Sequence, residues 1–343
     1  MQNIMSVRES LEQGSLDQKI REIYVDKQRV PYNRERYIRA IDRFTELFPS
    51  EKEIEIYSAP GRSEVCGNHT DHQNGMVLAT SINLDAIAIV AKAEEPVIRL
   101  VSGDFPMEEV DVADLSMKEE EQSTTTALIR GVAAGMKERD HKVGGFTAYI
   151  TSDVLMGAGM SSSAAFESLI GTILSGLYND MKVSSIEIAQ IGQYAENIYF
   201  GKPCGLMDQM ACSVGGMIFI DFKEKEHPEV RQVHTDFEKA GLSLCIVDTK
   251  GSHADLTPDY AAVPAEMNQV AQALGREHLR EVPRETFFKE LPKLWKETSG
   301  RAVLRAIHFY EEEERVLRGV KSLEESDYPG FLGVIKASGD SSA

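Results

Sequence analysis

The sequence has few cysteines, a shortage of cations and no long apolar run. Its four cysteines form no Cys-x-x-Cys pair, which argues against a disulfide scaffold and favours reduced thiols. The longest purely apolar stretch, residues 86–91, is far too short to cross a bilayer. The N-terminal 20 residues lack the basic start and apolar core of a signal peptide. We therefore expect a cytoplasmic protein.

The shortage of cations limits the partners of the chain. There are 37 Lys and Arg residues against 55 Asp and Glu residues, so the net charge is −18. Such an acidic surface argues against nucleic acid and anionic membranes as partners. The sequence also lacks the Gly-x-x-x-x-Gly-Lys-Ser/Thr pattern of a P-loop. Any phosphate ligand must therefore be bound by other local features.

The pattern of elements predicts an α+β fold with two domains. The 343 residues are 42% hydrophobic and 27% charged, as in ordinary globular proteins. EIEIYSAPGR predicts a strand that ends at Pro60-Gly61, and LSLCIVDT predicts another. SSIEIAQIGQYAENIYF predicts one helix that ends at Gly201. Strands and helices do not alternate strictly, so a doubly wound sheet is disfavoured. The polar stretch 223–239 suggests a crossing between domains 1–229 and 230–343.

A dense group of polar side chains follows the first of these strands, in APGRSEVCGNHTDHQNG. Side chains that both donate and accept hydrogen bonds suit a polyol ligand. A polar surface loop is one alternative. A metal site is another, since His69 and His72 flank Asp71, but no third ligand stands out. The polar residues of this group are Arg62, Asn68, His69, Thr70, Asp71, His72, Gln73 and Asn74.

A glycine-rich turn before a helix forms the second group, GAGMSSSAA. Glycines let the backbone approach a ligand closely, and the N–H groups at a helix start attract phosphate. Serine hydroxyls can donate to phosphate or coordinate Mg²⁺. An ordinary serine N-cap is the alternative. The candidate phosphate-binding residues are Gly157, Ala158, Gly159, Met160, Ser161, Ser162 and Ser163.

Two acidic residues form the third group, in AENIYFGKPCGLMDQM. Phosphoryl transfer needs a carboxylate near the attacking hydroxyl and a metal ligand near the nucleotide. Glu196 and Asp208 could fill these two roles. The alternative is two solvated acids, which is the usual state of an acid in so acidic a chain. Asp208 is harder to dismiss, because its neighbours are apolar.

In this order, the three groups resemble the galactokinase family of small-molecule kinases, whose relatives include homoserine and mevalonate kinases. PGRSEVCGNHTDHQNG resembles the family's sugar-binding signature, GAGMSSSAA its ATP phosphate loop and GKPCGLMDQM its catalytic segment. DTKGSHADLTPDY resembles a later segment whose tyrosine contacts the sugar. The resemblance runs from about Phe44 to the last residue. It implies an ATP- and Mg²⁺-dependent sugar-1-kinase with its active site in the cleft between two domains.

The resemblance also implies a role for each matching residue. Asp208 matches the aspartate that takes or orients the proton of the sugar's 1-hydroxyl. Arg62 matches the arginine that stabilises this aspartate and the γ-phosphate. Ser163 and Glu196 match the Mg²⁺ ligands. The sugar-binding positions are Asn68, His69, Asp71, Gly205 and Tyr260, although one tyrosine in a loop is often only a packing residue. We expect a monomer or weak dimer.

Three departures from the family pattern leave the substrate open. Asn68 stands where the family has Glu, and TTTALIRGV lacks the aromatic residue that packs on adenine. The family's Gly-Gly-Phe-Gly-Gly type loop is absent, so we expect an incomplete second domain with reduced stability and weak turnover. A kinase for a galactose relative, such as N-acetylgalactosamine or arabinose, is one alternative. A non-catalytic sugar-binding protein is the other.

Overall fold

The computed structural model describes residues 1–155, 157–224, 226–247 and 257–343, without the side chains of residues 257, 258 and 260. These residues form two compact units. The first comprises residues 1–62 and 81–214, and the second comprises residues 63–80 and 215–343. The strands are β1 (Gln2–Asn3), β2 (Glu53–Cys66), β3 (Met76–Lys92), β4 (Val97–Ser102), β5 (Glu108–Asp111), β6 (Phe146–Ser152), β7 (Met217–Asp221) and β8 (Glu229–Gln232).

Helices of the first unit surround its strands, and those of the second unit follow residue 256. In the first unit they are α1 (Ile4–Glu12), α2 (Asp17–Tyr24), α3 (Val30–Leu47), α4 (Thr125–Glu138), α5 (Ser162–Asn179), α6 (Ser185–Tyr194) and α7 (Met207–Val214). In the second unit they are α8 (Thr257–Ala273), α9 (Arg284–Glu297), α10 (Gly300–Glu324) and α11 (Tyr328–Ser342). Among the described helices, none combines the length and the apolar character that a membrane span requires.

The first unit is a three-layer structure around a mixed sheet. Its strand order is β1-β2-β3-β6-β4-β5, in which β4 and β6 are parallel and β3 and β6 antiparallel. Along β3, the side chains of Ala86, Ala88 and Val90 enter the core formed with α4, α5 and α6. Those of Ile87, Ile89 and Ala91 enter the core formed with α1, α2 and α3. Because successive residues of a strand face opposite sides, a strand covered on both faces has the continuous apolar run seen in the sequence.

The second unit packs helices on a smaller antiparallel sheet. The first residues of β3, Met76–Thr80, pair with β7, and β7 pairs with β8. Helices α10 and α11 cover these strands through Val316, Val320 and Phe331, among others. A separate apolar core joins α8, α9 and α10. Helices and largely antiparallel strands together confirm the predicted α+β class.

Two predicted elements differ from the structure. Strand β2 does not end at Pro60-Gly61 but continues to Cys66. The predicted strand LSLCIVDT is not formed over residues 242–247, and its last two residues lie outside the described ones. The side chains of Leu244, Ile246 and Val247 are exposed, and no described strand pairs with them. A β-rich composition favours a strand only where a partner strand and burial are available.

The division of the chain also differs from the single boundary expected near residue 229. Residues 63–80, which carry the loop between β2 and β3, group with residues 215–343. Strands β2 and β3 are 14 and 17 residues long, and each contributes residues to both units. The polar stretch 223–239 contains strand β8 of the second unit. A boundary drawn at one point of the sequence cannot reproduce a unit built from two separate segments.

Candidate functional site

Arg62 and Asp208 meet in a two-pronged ion pair. The Nε and Nη2 atoms of Arg62 each donate to one oxygen of the Asp208 carboxylate, both at 2.8 Å. Arg62 lies on β2 and Asp208 in the first turn of α7, 146 residues later in the chain. A fork of this kind fixes the orientation of both groups. The sequence-based expectation that these two residues meet is confirmed.

The course of β2 past Gly61 brings Arg62 to this position. A Cβ atom on Gly61 would lie 2.9 Å from Met160 O and 3.0 Å from a methyl group of Val154, so only glycine fits here. The next residue donates its backbone N–H to the same Met160 oxygen at 3.1 Å. Its Nη1 atom donates to Gly159 O. These contacts with the glycine-rich segment explain why the strand continues beyond the predicted end.

The glycine-rich segment 157–163 runs into the N-terminus of α5. Gly157 and Gly159 both have φ of +73°, a conformation that glycine adopts without strain. Ser161 has φ of +54°, which is uncommon for a residue with a side chain. Its hydroxyl does not cap α5 but donates to Oδ2 of Asp208. The alternative of an ordinary serine N-cap is therefore wrong for Ser161.

Glu196 lies in a π-helical turn, Ala195–Phe200, which continues from α6 where a single α-helix was predicted. Only 3% of the residue is exposed, so the alternative of a solvated acid is wrong. Its Oε1 accepts from Ser163 Oγ at 3.3 Å and from Lys202 Nζ at 3.1 Å. Its Oε2 accepts from Gln209 Nε2 at 2.8 Å. The two oxygens thus have different partners, and Oε1 is the one that faces the start of α5.

Glu167 and Gln209 are two neighbours of Glu196 that the sequence analysis did not identify. Gln209 Nε2 also donates to Glu167 Oε2 at 3.1 Å, so one amide joins two buried carboxylates. Burial, together with the neighbouring Glu196 carboxylate, raises the pKa of Glu167 well above its ordinary value. Among the described buried side chains, Glu167 Oε1 and Gln209 Oε1 have no hydrogen-bond partner. The available signal was spacing: Glu167 lies one helical turn after Ser163, and Gln209 directly follows Asp208.

Lys202 is a third residue that was missed. Burial lowers the pKa of this lysine, but the Glu196 carboxylate outweighs that effect and raises the pKa above its ordinary value. The side chain is therefore an ammonium at neutral pH. Lys202 lies in the same unit as Arg62 and contacts Glu196, whereas Arg62 contacts Asp208. Its position in GKPCG, just after the helix that carries Glu196, was the available signal.

The donors around Ser163 suit a hard divalent cation. Ser163 Oγ and Glu196 Oε1 are oxygen atoms 3.3 Å apart, and Mg²⁺ prefers oxygen ligands. Among the described residues, no group of three or more His, Cys, Asp or Glu could hold a metal. Mg²⁺ is usually bound by one or two protein ligands together with substrate phosphates. The hydroxyl and the carboxylate therefore fit a metal that arrives with a phosphorylated ligand.

The polar loop 67–75 belongs to the second unit and is fixed there by many hydrogen bonds. Asn68 Nδ2 donates to Ser338 Oγ at 3.2 Å and to Ser342 Oγ at 2.9 Å, both on α11. The backbone N–H of Gly67 donates to Glu312 Oε2 at 2.7 Å. The side chain of Gln73 donates to Asn268 Oδ1 at 2.6 Å. A loop held in this way is a rigid platform for polar side chains.

The other predicted sugar-binding residues lie on different elements of the structure. His69 has φ of +64°, and burial together with His72 lowers its pKa. Asp71 Oδ1 accepts the backbone N–H of His72 at 2.9 Å. Gly205, in the first unit, precedes α7 and is half-buried. Tyr260 lies in the first turn of α8, and its side chain is outside the described residues.

Two family models match the chain. The model described as GHMP kinases N terminal domain matches residues 127–216, which include the glycine-rich segment, Glu196 and Asp208. The model described as galactokinase galactose-binding signature matches residues 42–92, which include Arg62 and the polar loop. The two models thus match the same segments that carry the described contacts.

Curated relatives and solved structures agree with these models. The galactokinase of Streptomyces coelicolor is 32% identical over 83% of this chain and 73% of its own length. A galactokinase of Actinobacillus pleuropneumoniae is 33% identical over 82% of this chain and 72% of its own length. The Lactococcus lactis galactokinase solved with galactose has the same fold, with a TM-score of 0.71, 23% identity and coverage of 87% of this chain and 76% of that one. The chain belongs to the galactokinase family.

Proposed function

We propose that the chain transfers the γ-phosphoryl group of ATP to the anomeric 1-hydroxyl of galactose, giving galactose 1-phosphate and ADP. The observation that carries this proposal is the junction of Arg62, Asp208 and Ser161 at the glycine-rich segment. It joins a carboxylate for the attacking hydroxyl, a guanidinium for developing negative charge and a helix N-terminus for phosphate. The curated relatives named galactokinase support the choice of reaction.

The proposed chemistry is an in-line displacement at the γ-phosphorus. The 1-hydroxyl oxygen forms a bond to phosphorus while the bond to the bridging oxygen breaks and ADP leaves. Asp208 orients the hydroxyl and accepts its proton, and Arg62 neutralises charge at both the carboxylate and the moving phosphoryl group. Ser161 donates to Oδ2 of the same carboxylate, the oxygen that also accepts from Arg62 Nη2.

The nucleotide and the metal are assigned to the first unit. Residues 157–163 would contact the ATP phosphates through glycine backbone and serine hydroxyls, as in the sequence-based assignment. Ser163 and Glu196 would hold Mg²⁺, which when bound supplies charge neutralisation to the phosphates. Gln209 keeps Oε2 of Glu196 occupied, so that Oε1 is presented to the metal. The fit of oxygen donors supports Mg²⁺.

The sugar is assigned to Asn68, His69, Asp71, Gly205 and Tyr260. The rigid loop that carries the first three supports this assignment, because fixed polar groups discriminate between hydroxyl patterns. Asn68 favours a second candidate, a kinase for a galactose relative. Its amide nitrogen is engaged with two serines of α11, so its oxygen is the group left to accept a sugar hydroxyl.

An ADP-release assay with ATP, Mg²⁺ and a panel of hexoses and pentoses tests the proposal. We expect galactose to give the highest kcat/KM in the panel. A higher value for N-acetylgalactosamine or arabinose would favour the second candidate. No sugar-dependent ADP release, with galactose binding retained in calorimetry, would favour a non-catalytic sugar-binding protein and overturn the kinase proposal.

The proposal also covers the oligomeric state of the protein and its cellular compartment. We propose a monomer or weak dimer that works in the cytoplasm, in keeping with the four free thiols. Sedimentation velocity over a range of concentrations tests the assembly. Fractionation of the source cells tests the compartment.

A further inference from the structure

A lysine contacts the carboxylate that is assigned to the metal. Lys202 Nζ lies 3.1 Å from Glu196 Oε1, and Ser163 Oγ lies 3.3 Å from the same oxygen. Ser163 is in the first turn of α5. The ammonium group therefore lies beside the helix N-terminus to which the ATP phosphates are assigned.

The backbone around Lys202 directs its side chain to this place. Gly201 ends the π-helical turn with φ of +84°, which reverses the chain. The N–H of Lys202 donates to Glu196 O at 3.1 Å, and the N–H of Cys204 donates to Asn197 Oδ1 at 2.7 Å. Lys202 and Cys204, within the short GKPCG segment, are thus both attached to the helix before it. The contact with Glu196 follows from the fold of this turn.

Lys202 and Arg62 pair with different carboxylates in the first unit. The guanidinium of Arg62 is engaged by the Asp208 carboxylate in a two-pronged contact. Lys202 is the cation that contacts Glu196 among the described residues. A nucleoside triphosphate brings several negative charges to a chain whose net charge is already −18. A cation within reach of the phosphates would offset that repulsion locally.

The two partners of this ion pair differ in their freedom to move. The Glu196 side chain is 4% exposed and is held by three donors, whereas the Lys202 side chain is 64% exposed. A divalent cation at Glu196 Oε1 would compete with the ammonium for this oxygen, because the two cations repel each other at close range. The flexible stem of the lysine can then carry the ammonium to a new partner.

We propose that Lys202 is a nucleotide-binding residue, whose ammonium exchanges Glu196 for the terminal phosphates of Mg²⁺-bound nucleotide. The inference rests on the proposed function, since it takes the nucleotide site as given. It adds to that site a cation that the sequence-based assignment did not include. The exchange keeps the ammonium paired both before and after nucleotide binding.

Calorimetric titration of the full chain with MgADP and, separately, with adenosine tests the inference. For Lys202→Met we expect the Kd for MgADP to rise about tenfold, because one charge-assisted hydrogen bond to phosphate is lost. The Kd for adenosine should not change, and Lys202→Arg should stay within about threefold of the parent. Lys182→Met is the matched control, since Lys182 forms an exposed ion pair with Asp180 in the same unit. It should bind both ligands as the parent does.

The outcomes separate this inference from the proposed function. An unchanged Kd for MgADP in Lys202→Met, with tight binding by the parent, overturns the role of Lys202 and leaves the kinase proposal intact. An equal loss for MgADP and adenosine also overturns it, because a general effect on the fold would act on both ligands. Absence of MgADP binding by the parent chain overturns the proposed function and the inference together.

Discussion

The hydroxyl of Ser161 is bonded to the carboxylate of Asp208 and not to the helix that it precedes. The residue joins the end of the glycine-rich segment to the side chain proposed to act on the sugar hydroxyl. Its left-handed backbone, with φ of +54°, places the hydroxyl in this contact. Strained backbone of this kind is common at functional sites, where surrounding contacts maintain it.

The first prediction concerns Asp208 itself. Asp208→Ala should lower kcat for sugar phosphorylation by at least about 10³-fold, because it removes the group that orients and deprotonates the hydroxyl. Galactose binding, measured by calorimetry, should stay within about threefold of the parent, which also shows that the variant is folded. Asp180→Ala, at an exposed ion pair, is the control and should turn over normally. Near-parental turnover by the Asp208 variant would show that the catalytic assignment is wrong.

The second prediction separates strain from hydrogen bonding at Ser161. Ser161→Gly and Ser161→Ala both remove the hydroxyl, so both should lower kcat by about tenfold or more. Only glycine adopts a positive φ without strain, so the glycine variant should be about 1 kcal/mol more stable than the alanine variant. Urea denaturation monitored by circular dichroism gives the free energies of unfolding. Equal stabilities of the two variants would contradict the strain argument, and unchanged kcat in both would remove the hydroxyl from the mechanism.

Local sequence patterns were sufficient for the parts of the site that lie on regular elements. The helix that begins within GAGMSSSAA predicted where the serines would lie, whereas the predicted strand ended just before Arg62. The meeting of Arg62 with Asp208 followed from the family resemblance, and the structure confirms it.

Residues whose role depends on tertiary contacts could not be read from the sequence. Glu167 and Gln209 are 42 positions apart, and the amide that joins Glu167 to Glu196 is visible only once α5 and α7 are packed. Lys202 looks like any surface lysine until the turn at Gly201 directs it to Glu196. The failure at LSLCIVDT has a related cause, since strand formation depends on a partner that local composition does not reveal.

The third prediction concerns sugar specificity at Asn68. Asn68→Glu exchanges an amide that donates to Ser338 and Ser342 for a charged acceptor, so the preference for hydroxyl patterns should change. We expect the ratio of the kcat/KM values for sugars that differ at O6 or C2 to change by about tenfold, which would alter their ranking. Ser342→Ala is the control, because it removes one partner of the amide without changing the group offered to a sugar. An unchanged ranking in Asn68→Glu would exclude this residue from the specificity argument.

Glu313, on α10 of the second unit, sets a pH dependence of stability. Its carboxylate accepts the backbone N–H of Met76 and contacts the guanidinium of Arg280, which also binds Asp221 at 2.6 Å. Burial raises the pKa of Glu313 to about 7, because it outweighs the opposing effects of the Arg280 guanidinium and the Met76 N–H, and Asp221 adds a smaller contribution in the same direction as burial. The folded state therefore holds this proton more tightly than the unfolded state does.

The fourth prediction follows from that difference in proton affinity. Below about pH 4.5 both states are protonated at this position, and the stabilisation is fully present. As pH rises to about 7 the unfolded state ionises first, so the free energy of unfolding should fall by about 3 kcal/mol at most. Glu313→Gln should lose this part of the pH dependence, whereas Glu314→Gln, at an exposed neighbour, should keep it. Urea denaturation of the three proteins between pH 4.5 and 8 measures the difference, and parallel curves for the parent and Glu313→Gln would refute a raised pKa at Glu313.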